Sequence, residues 1–321
     1  MLHLPGGDRA RALARRYASR FADVVADRVA QRLDAQAPAP APAPAPAPIG
    51  VGDFTLAIDF PVAPRTRYGF GRPSHPALAG VLAPGHDRYA AKLAAFATLF
   101  DPVAAIPAHA SGEADQPQWI NGWIPGLDGL ALYAFTALRR PGIYLEVGSG
   151  SSTRFVRRAI RDGGLATRIV SIDPEPRAEV NAICDDVIRR PLEDTDLAVF
   201  ERLAPGDVVF VDDSHRCFQN SDATVILTEV LPRLPAGVLI GLHDIFLPDD
   251  YPPEWNHRLY SEQYLLAAFL LGGHRGYEVA LPAWYASQDP SLAGVVAPLF
   301  GRPGLEEVER HGSAFWLESV E

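Results

Sequence analysis

The chain has 321 residues, 48% of them hydrophobic and 21% charged, with 29 lysines and arginines against 39 aspartates and glutamates. The apolar share supports a packed core and excludes a wholly disordered chain, and the net charge of −10 argues against a nucleic-acid surface as the main function. No apolar run approaches the ~20 residues of a membrane span. The opening MLHLPGGDRARALARR lacks the apolar centre of an export signal, and two cysteines, Cys184 and Cys217, are too few for a disulfide framework or a four-cysteine zinc site. The expectation is therefore a reduced, cytoplasmic protein.

Residues 8–34 read as one amphipathic helix. Leu13, Tyr17, Phe21, Val25, Val29 and Leu33 recur every fourth position, while Arg9, Arg11, Arg15, Arg16, Arg20, Arg28 and Arg32 outnumber Asp8, Asp23, Asp27 and Asp34 on the other faces. This pattern favours oligomerisation or docking over a membrane-surface helix, and its acids weaken a transit-peptide reading. Residues 37–48 repeat Ala-Pro six times. Alternate prolines fix φ and delete backbone donors, which leaves a stiff spacer with a reach of roughly 37 Å at ~3.1 Å per residue. Residues 49–125 form a Pro- and Gly-rich cap region with one helix near Asp87–Phe100.

From residue 126 to 321 helix and strand patterns alternate. A helical run through Leu130, Tyr133 and Leu138 has Asp128 placed as its N-cap, and Pro141-Gly142 stops it. Apolar strands are expected at Ile143–Val147, Arg168–Ile172, Asp207–Val211 and Val238–Leu242, with two more at Tyr277–Leu281 and Ala314–Leu317. Strands buried on both faces and spaced by helices imply an α/β fold with a doubly wound, mostly parallel sheet.

The most informative stretch is Tyr144-Leu-Glu-Val-Gly-Ser-Gly-Ser-Ser-Thr153. A strand runs into Gly148-Ser149-Gly150, and Ser151 or Ser152 caps the next helix. Glycines there let backbone pass close to a ligand, and the helix start offers free N–H donors. Thr153 stands where the dinucleotide fingerprint needs its third glycine, which weighs against a nicotinamide oxidoreductase. The next strand closes on Asp173, an acid able to accept from both ribose hydroxyls.

With Glu146-Val-Gly-Ser-Gly-Ser-Ser152, Ser171-Ile-Asp173, Val209-Phe-Val-Asp212 and Gly241-Leu-His-Asp244, the sequence resembles the class I S-adenosylmethionine-dependent methyltransferases over roughly residues 126–320. The resemblance implies a seven-stranded Rossmann-like sheet whose last strand is antiparallel. It implies that Gly148, Ser149 and Gly150 line the methionine part of the cofactor, that Asp173 holds its ribose, and that Glu146 orients the turn. Glu193 and Asp194 are both candidates for the adenine end, and Asp212 is a candidate to border cofactor and acceptor alike. Ser152 stands where the family often has a third glycine.

Asp212, Asp213, His215, His243 and Asp244 close two neighbouring strands at the same rim. Buried unpaired, such groups would cost several kcal/mol. Two chemistries use them. Asp212, Asp213 and Asp244 are candidate ligands for Mg²⁺ or another divalent ion, Asp212 and Asp244 matching positions used by catechol- and sugar-type O-methyltransferases. Alternatively His215 or His243 is a metal-free general base beside Asp212. The loop Ile245–Trp255, with three prolines, is expected to cover the acceptor, which Trp255, Arg258 and Tyr260 are candidates to bind. Trp119 and Trp123 read as packing residues. The function expected is O-methylation of a small metabolite or glycan. The alternatives are a metal-dependent oxygenase, or a non-catalytic adaptor on the same fold.

Overall fold

The protein's structure is a computed structural model that describes residues 62–113, 115–176 and 180–320. The helix expected at 8–34 and the Ala-Pro spacer lie outside the described residues. Ala63–Glu321 form one compact unit. It is built on a seven-stranded sheet of order β3-β2-β1-β4-β5-β7-β6. The strands are β1 (Ile143–Val147), β2 (Arg168–Ile172), β3 (Asp186–Ile188), β4 (Val208–Val211), β5 (Leu239–Leu242), β6 (Tyr277–Pro282) and β7 (Phe315–Ser319). The first five are parallel, and β7 runs antiparallel between β5 and β6. The doubly wound, mostly parallel sheet is what the alternating pattern implied, and the seven strands with an antiparallel last one are what the resemblance implied. Strand β3 escaped the sequence reading because it is three residues long and partly exposed at the sheet's edge, so it carries no apolar run.

The helices are α1 (Pro76–Leu82), α2 (His86–Ala97), α3 (Phe100–Ala104), α4 (Gly126–Arg139), α5 (Ser151–Gly163), α6 (Asp222–Val225), α7 (Glu262–Leu271), α8 (Ala283–Gln288) and α9 (Pro290–Phe300). β4 and β5 are buried along their whole length, as strands covered on both faces must be. Gly241 in β5 lets Trp316 of β7 lie flat on the sheet, since a Cβ there would sit 2.6 Å from the indole. Helix α4 buries every residue from Gly126 to Thr136, Asp128 included. Asp128 is not its N-cap. The helix begins two residues earlier, after Pro125, and the Asp128 carboxylate instead accepts from the Ser313 and Ala314 amides at 2.7 and 3.0 Å, just ahead of β7. Among the described residues no helix is long and apolar enough to cross a membrane.

Register fixes the functional rim. Val147 pairs with Ile172 of β2 and Val211 of β4, and Val211 pairs with Leu242 of β5. One residue further along each strand stand Gly148, Asp173, Asp212 and His243, in one row at the carboxyl ends. The strand order reverses between β1 and β4, and that switch point is where open α/β sheets bind ligands.

Candidate functional site

The β1–α5 turn is held by its own side chains. Gly148 has φ +77°, and a Cβ on it would lie 1.9 Å from the Asp212 carbonyl oxygen, so only glycine permits this approach of β1 to β4. Neither Ser151 nor Ser152 caps α5. The Thr153 hydroxyl accepts from the Gly150 amide at 3.0 Å and donates to the Glu146 carboxylate at 2.5 Å. Glu146 is fully buried and also accepts from the Tyr144 and Ser152 hydroxyls. Burial nevertheless pushes its pKa up to about 7. The threonine that breaks the dinucleotide fingerprint is thus the fastener of a different turn. Asp173 accepts from the Ser149 amide at 2.7 Å and the Glu175 amide at 2.8 Å, which aims its carboxylate across the turn. A Cβ on Gly150 would meet nothing within 4 Å. Glu193 lies in a short 3-10 turn after β3, its pKa raised by burial.

At the ends of β4 and β5 the charged groups form a chain. Oδ1 of Asp212 lies 3.2 Å from His215 Nε2 and 3.3 Å from His243 Nδ1. Behind each imidazole stands another buried acid: Glu262 Oε2 is 3.0 Å from His215 Nδ1, and Asp128 Oδ2 is 3.4 Å from His243 Nε2. Burial alone would raise the Asp212 pKa, but the imidazoles of His243 and His215 hold it well below the usual carboxylate range. Burial pushes both histidines down, yet their carboxylate partners win and hold them well above the ordinary value. His215 and Asp244 both adopt left-handed backbone, φ +58° and +54°, a strained state for such residues.

The structure divides the expected metal ligands. Asp212 and Asp244 face His215 Nε2, with Asp244 Oδ2 at 3.5 Å, and these three groups lie close enough to share one ion. Asp213 sits on the other side of the ring, at 3.5 Å from Nδ1, beside Glu262. Asp213 Oδ2 and Glu262 Oε1 are both buried with no hydrogen-bond partner among the described residues, and burial raises both pKa values. Sequence reasoning missed Asp128 and Glu262 as members of the site. The available signal was chemical: each is an acid in a helix whose neighbours are otherwise mostly apolar.

The loop after β5 lies over this cluster. Its residues Ile245, Phe246, Leu247 and Tyr251 are buried, and the segment 66–75 straps it down. The Arg67 and Tyr68 amides donate to Asp250 Oδ2, and the His75 amide donates to the Pro248 carbonyl at 3.0 Å. The His215 carbonyl accepts from the Ser261 and Glu262 amides, clipping the start of α7 to the β4 end. Trp255, Arg258 and Tyr260 come together: the guanidinium lies 3.9 Å from the Trp255 ring centroid, and Tyr260 packs 4.7 Å from the His215 ring. Trp119 is buried against Phe155 and Phe300, and Trp123 is exposed. Cys184 and Cys217 are free thiols whose pKa burial raises to about 11.

A family profile described as a methyltransferase domain, Methyltransf_24, matches residues 145–245, from β1 to the first residue of the covering loop. No curated protein matches the sequence. Among solved structures, cofactor-bound Rv0187 from MTB is 16% identical, with 77% of this chain and 90% of that one covered and a TM-score of 0.37. The O-methyltransferase TomG from Streptomyces achromogenes, in complex with SAM, is 18% identical, with 72% and 89% covered and a TM-score of 0.35. The plantazolicin methyltransferase BpumL, in complex with SAH, is 13% identical, with 75% and 100% covered and a TM-score of 0.40.

Proposed function

We propose that this chain, a member of the class I S-adenosylmethionine-dependent methyltransferase superfamily, methylates a hydroxyl of a small metabolite or glycan. The cofactor lies over the ends of β1 and β2 and the acceptor over β4 and β5. One observation carries the reading: a single oxygen of Asp212, next to the glycine turn at the switch point, is flanked by two imidazoles that are each backed by a buried carboxylate. Bound S-adenosylmethionine supplies an activated methyl group, so the protein needs mainly to align the acceptor and take its proton.

Gly148, Ser149 and Gly150 offer close backbone approach, and Asp173 has lone pairs left for ribose hydroxyls after its two amide bonds. Glu193 is assigned to the adenine end. His215 is the base. Glu262 fixes its Nδ1, and Nε2 faces the site to take the hydroxyl proton. Asp212, Glu262, Asp244 and Asp213 together hold its pKa high, and a cation that engages Asp212 and Asp244 would weaken that hold and favour the neutral, proton-accepting imidazole.

A second reading rests on the grouping of Asp212, His215 and Asp244. Two carboxylates and an imidazole fit a divalent ion, which would polarise the same hydroxyl. Calorimetric titration with S-adenosylmethionine and with NAD⁺, each with and without Mg²⁺, tests both readings. Saturable binding of S-adenosylmethionine alone is expected. Binding of NAD⁺ instead overturns the assignment, and methyl transfer that requires Mg²⁺ selects the metal reading.

A further inference from the structure

Beyond the reaction type, the acceptor side carries an unbalanced charge. Arg216 and Arg258 share one aromatic ring: their guanidinium carbons lie 5.0 and 5.5 Å from the Tyr260 centroid, while Arg258 also stacks on Trp255 at 3.9 Å. Neither forms an ion pair among the described residues, although many arginines elsewhere on the surface do. Arg216 spends Nε and Nη1 on the carbonyls of Arg258 and Ser214, at 3.1 and 2.9 Å, which ties the end of β4 to the turn that follows the covering loop. Arg258 makes only a long contact from Nη1 to the Tyr260 hydroxyl at 3.5 Å. Two half-buried like charges on one ring repel each other, and nothing described within the protein neutralises them.

Resting on the methyl-transfer reading above, we infer that the acceptor bears an anionic group, a carboxylate or a phosphate, which Arg216 and Arg258 hold while its hydroxyl reaches His215. A guanidinium offers only donors, in a fork that matches two oxygens of such an anion. A neutral sugar would be served better by a mixture of donors and acceptors. The other end of the site sets the orientation. Asp212, Asp213, Asp244 and Glu262 crowd around His215, and like charges there repel an anion. The acceptor is thus driven to enter with its anion on the arginine side and its hydroxyl at the imidazole. Tyr260, packed against His215 on one side and the guanidiniums on the other, joins the two ends.

The experiment uses the full chain and three probes of one shape: benzoate, phenyl phosphate and neutral benzamide, titrated by calorimetry in the presence of S-adenosylmethionine. At least one anion is expected to bind at least about tenfold more tightly than benzamide. The preferred anion identifies the group as carboxylate or phosphate. Arg258→Gln and Arg216→Gln are each expected to remove most of that preference with S-adenosylmethionine affinity unchanged; Arg258→Gln is expected to leave the melting temperature unchanged, while Arg216→Gln, which also loses two carbonyl bonds, is expected to lower it. Arg258→Lys, which keeps the charge but loses the fork, is expected to fall between. Equal binding of all three probes, no binding of any, or a preference that survives in both glutamine variants overturns the proposal. Failure of the wild type to bind S-adenosylmethionine sinks the methyl-transfer reading instead, so the two failures are distinct.

Discussion

The two halves of the rim are built by opposite means. The half over β1 and β2 is largely local: Glu146, Gly148, Gly150 and Thr153 lie within eight residues, and Tyr144, Ser171, Asp173 and Asp212 reach in from the adjoining strands. The half over β4 and β5 is assembled from distance. Asp128 comes from α4, Glu262 from α7, and Ser313 from the approach to β7, all meeting the two strand-end histidines. A local turn can be specified by a short motif and tolerates its ligand coming and going. A buried cluster of carboxylates and imidazoles holds only when every partner is present, because each unpaired charge in such a place is costly. The first half is therefore expected to govern affinity, and the second turnover.

The largest expected effect separates these roles. His215→Gln removes the proposed base while leaving the glycine turn intact. Turnover is expected to fall about 10²–10⁴-fold, with the dissociation constant for S-adenosylmethionine nearly unchanged. Single-turnover kinetics beside calorimetry read both quantities. Equal losses in both would abolish the division of labour.

Gly148→Ala attacks the seam between the halves. Left-handed backbone costs an alanine about 1–2 kcal/mol, and its Cβ would press on the Asp212 carbonyl oxygen, 1.9 Å away. Forcing the strands apart adds about 1–3 kcal/mol more. A fall in melting temperature together with a loss of both binding and turnover is expected. A variant with wild-type stability would mean that the seam relaxes freely. Asp173→Ala is milder, weakening S-adenosylmethionine by about 1–3 kcal/mol through lost charge-assisted hydrogen bonds, with a modest fall in melting temperature from the two turn amides that lose their acceptor. Wild-type affinity there would remove Asp173 from the cofactor site.

The same contrast explains what the sequence disclosed. Strand periodicity and glycine spacing made the sheet and the turn readable, because both depend on residues close in the chain. Asp212, His215, His243 and Asp244 were visible as polar groups ending apolar strands. Their partners were not: Asp128 resembled a helix cap, although the helix starts at Gly126, and Glu262 opens α7, far along the chain from the histidine it meets. Only the fold shows that these acids face imidazoles. Likewise Asp213, adjacent to Asp212 in sequence, points to the opposite face of His215, because successive residues past a strand end diverge.

The smallest effect is a tilt in a stability curve, and it tests whether the His243 arm is electrostatic. A histidine held above its ordinary pKa lends full stability below the unfolded value of about 6.5, and loses it as pH rises through the folded value. His243 is so held, against Asp244, Asp212 and Asp128. Asp213 and Glu262 are held up by burial, so their ionisation tilts the curve as well, but they lie on the His215 arm. The difference between wild type and His243→Gln cancels that background. The melting-temperature gap is expected to be constant from about pH 5.5 to 6.5 and to shrink at higher pH. Asp212, held low, does not alter this window, because its contribution is lost only as pH falls below about 3.9. A gap that stays constant to alkaline pH would show that His243 fills space without carrying charge. The chain of carboxylates and imidazoles would then end at Asp212.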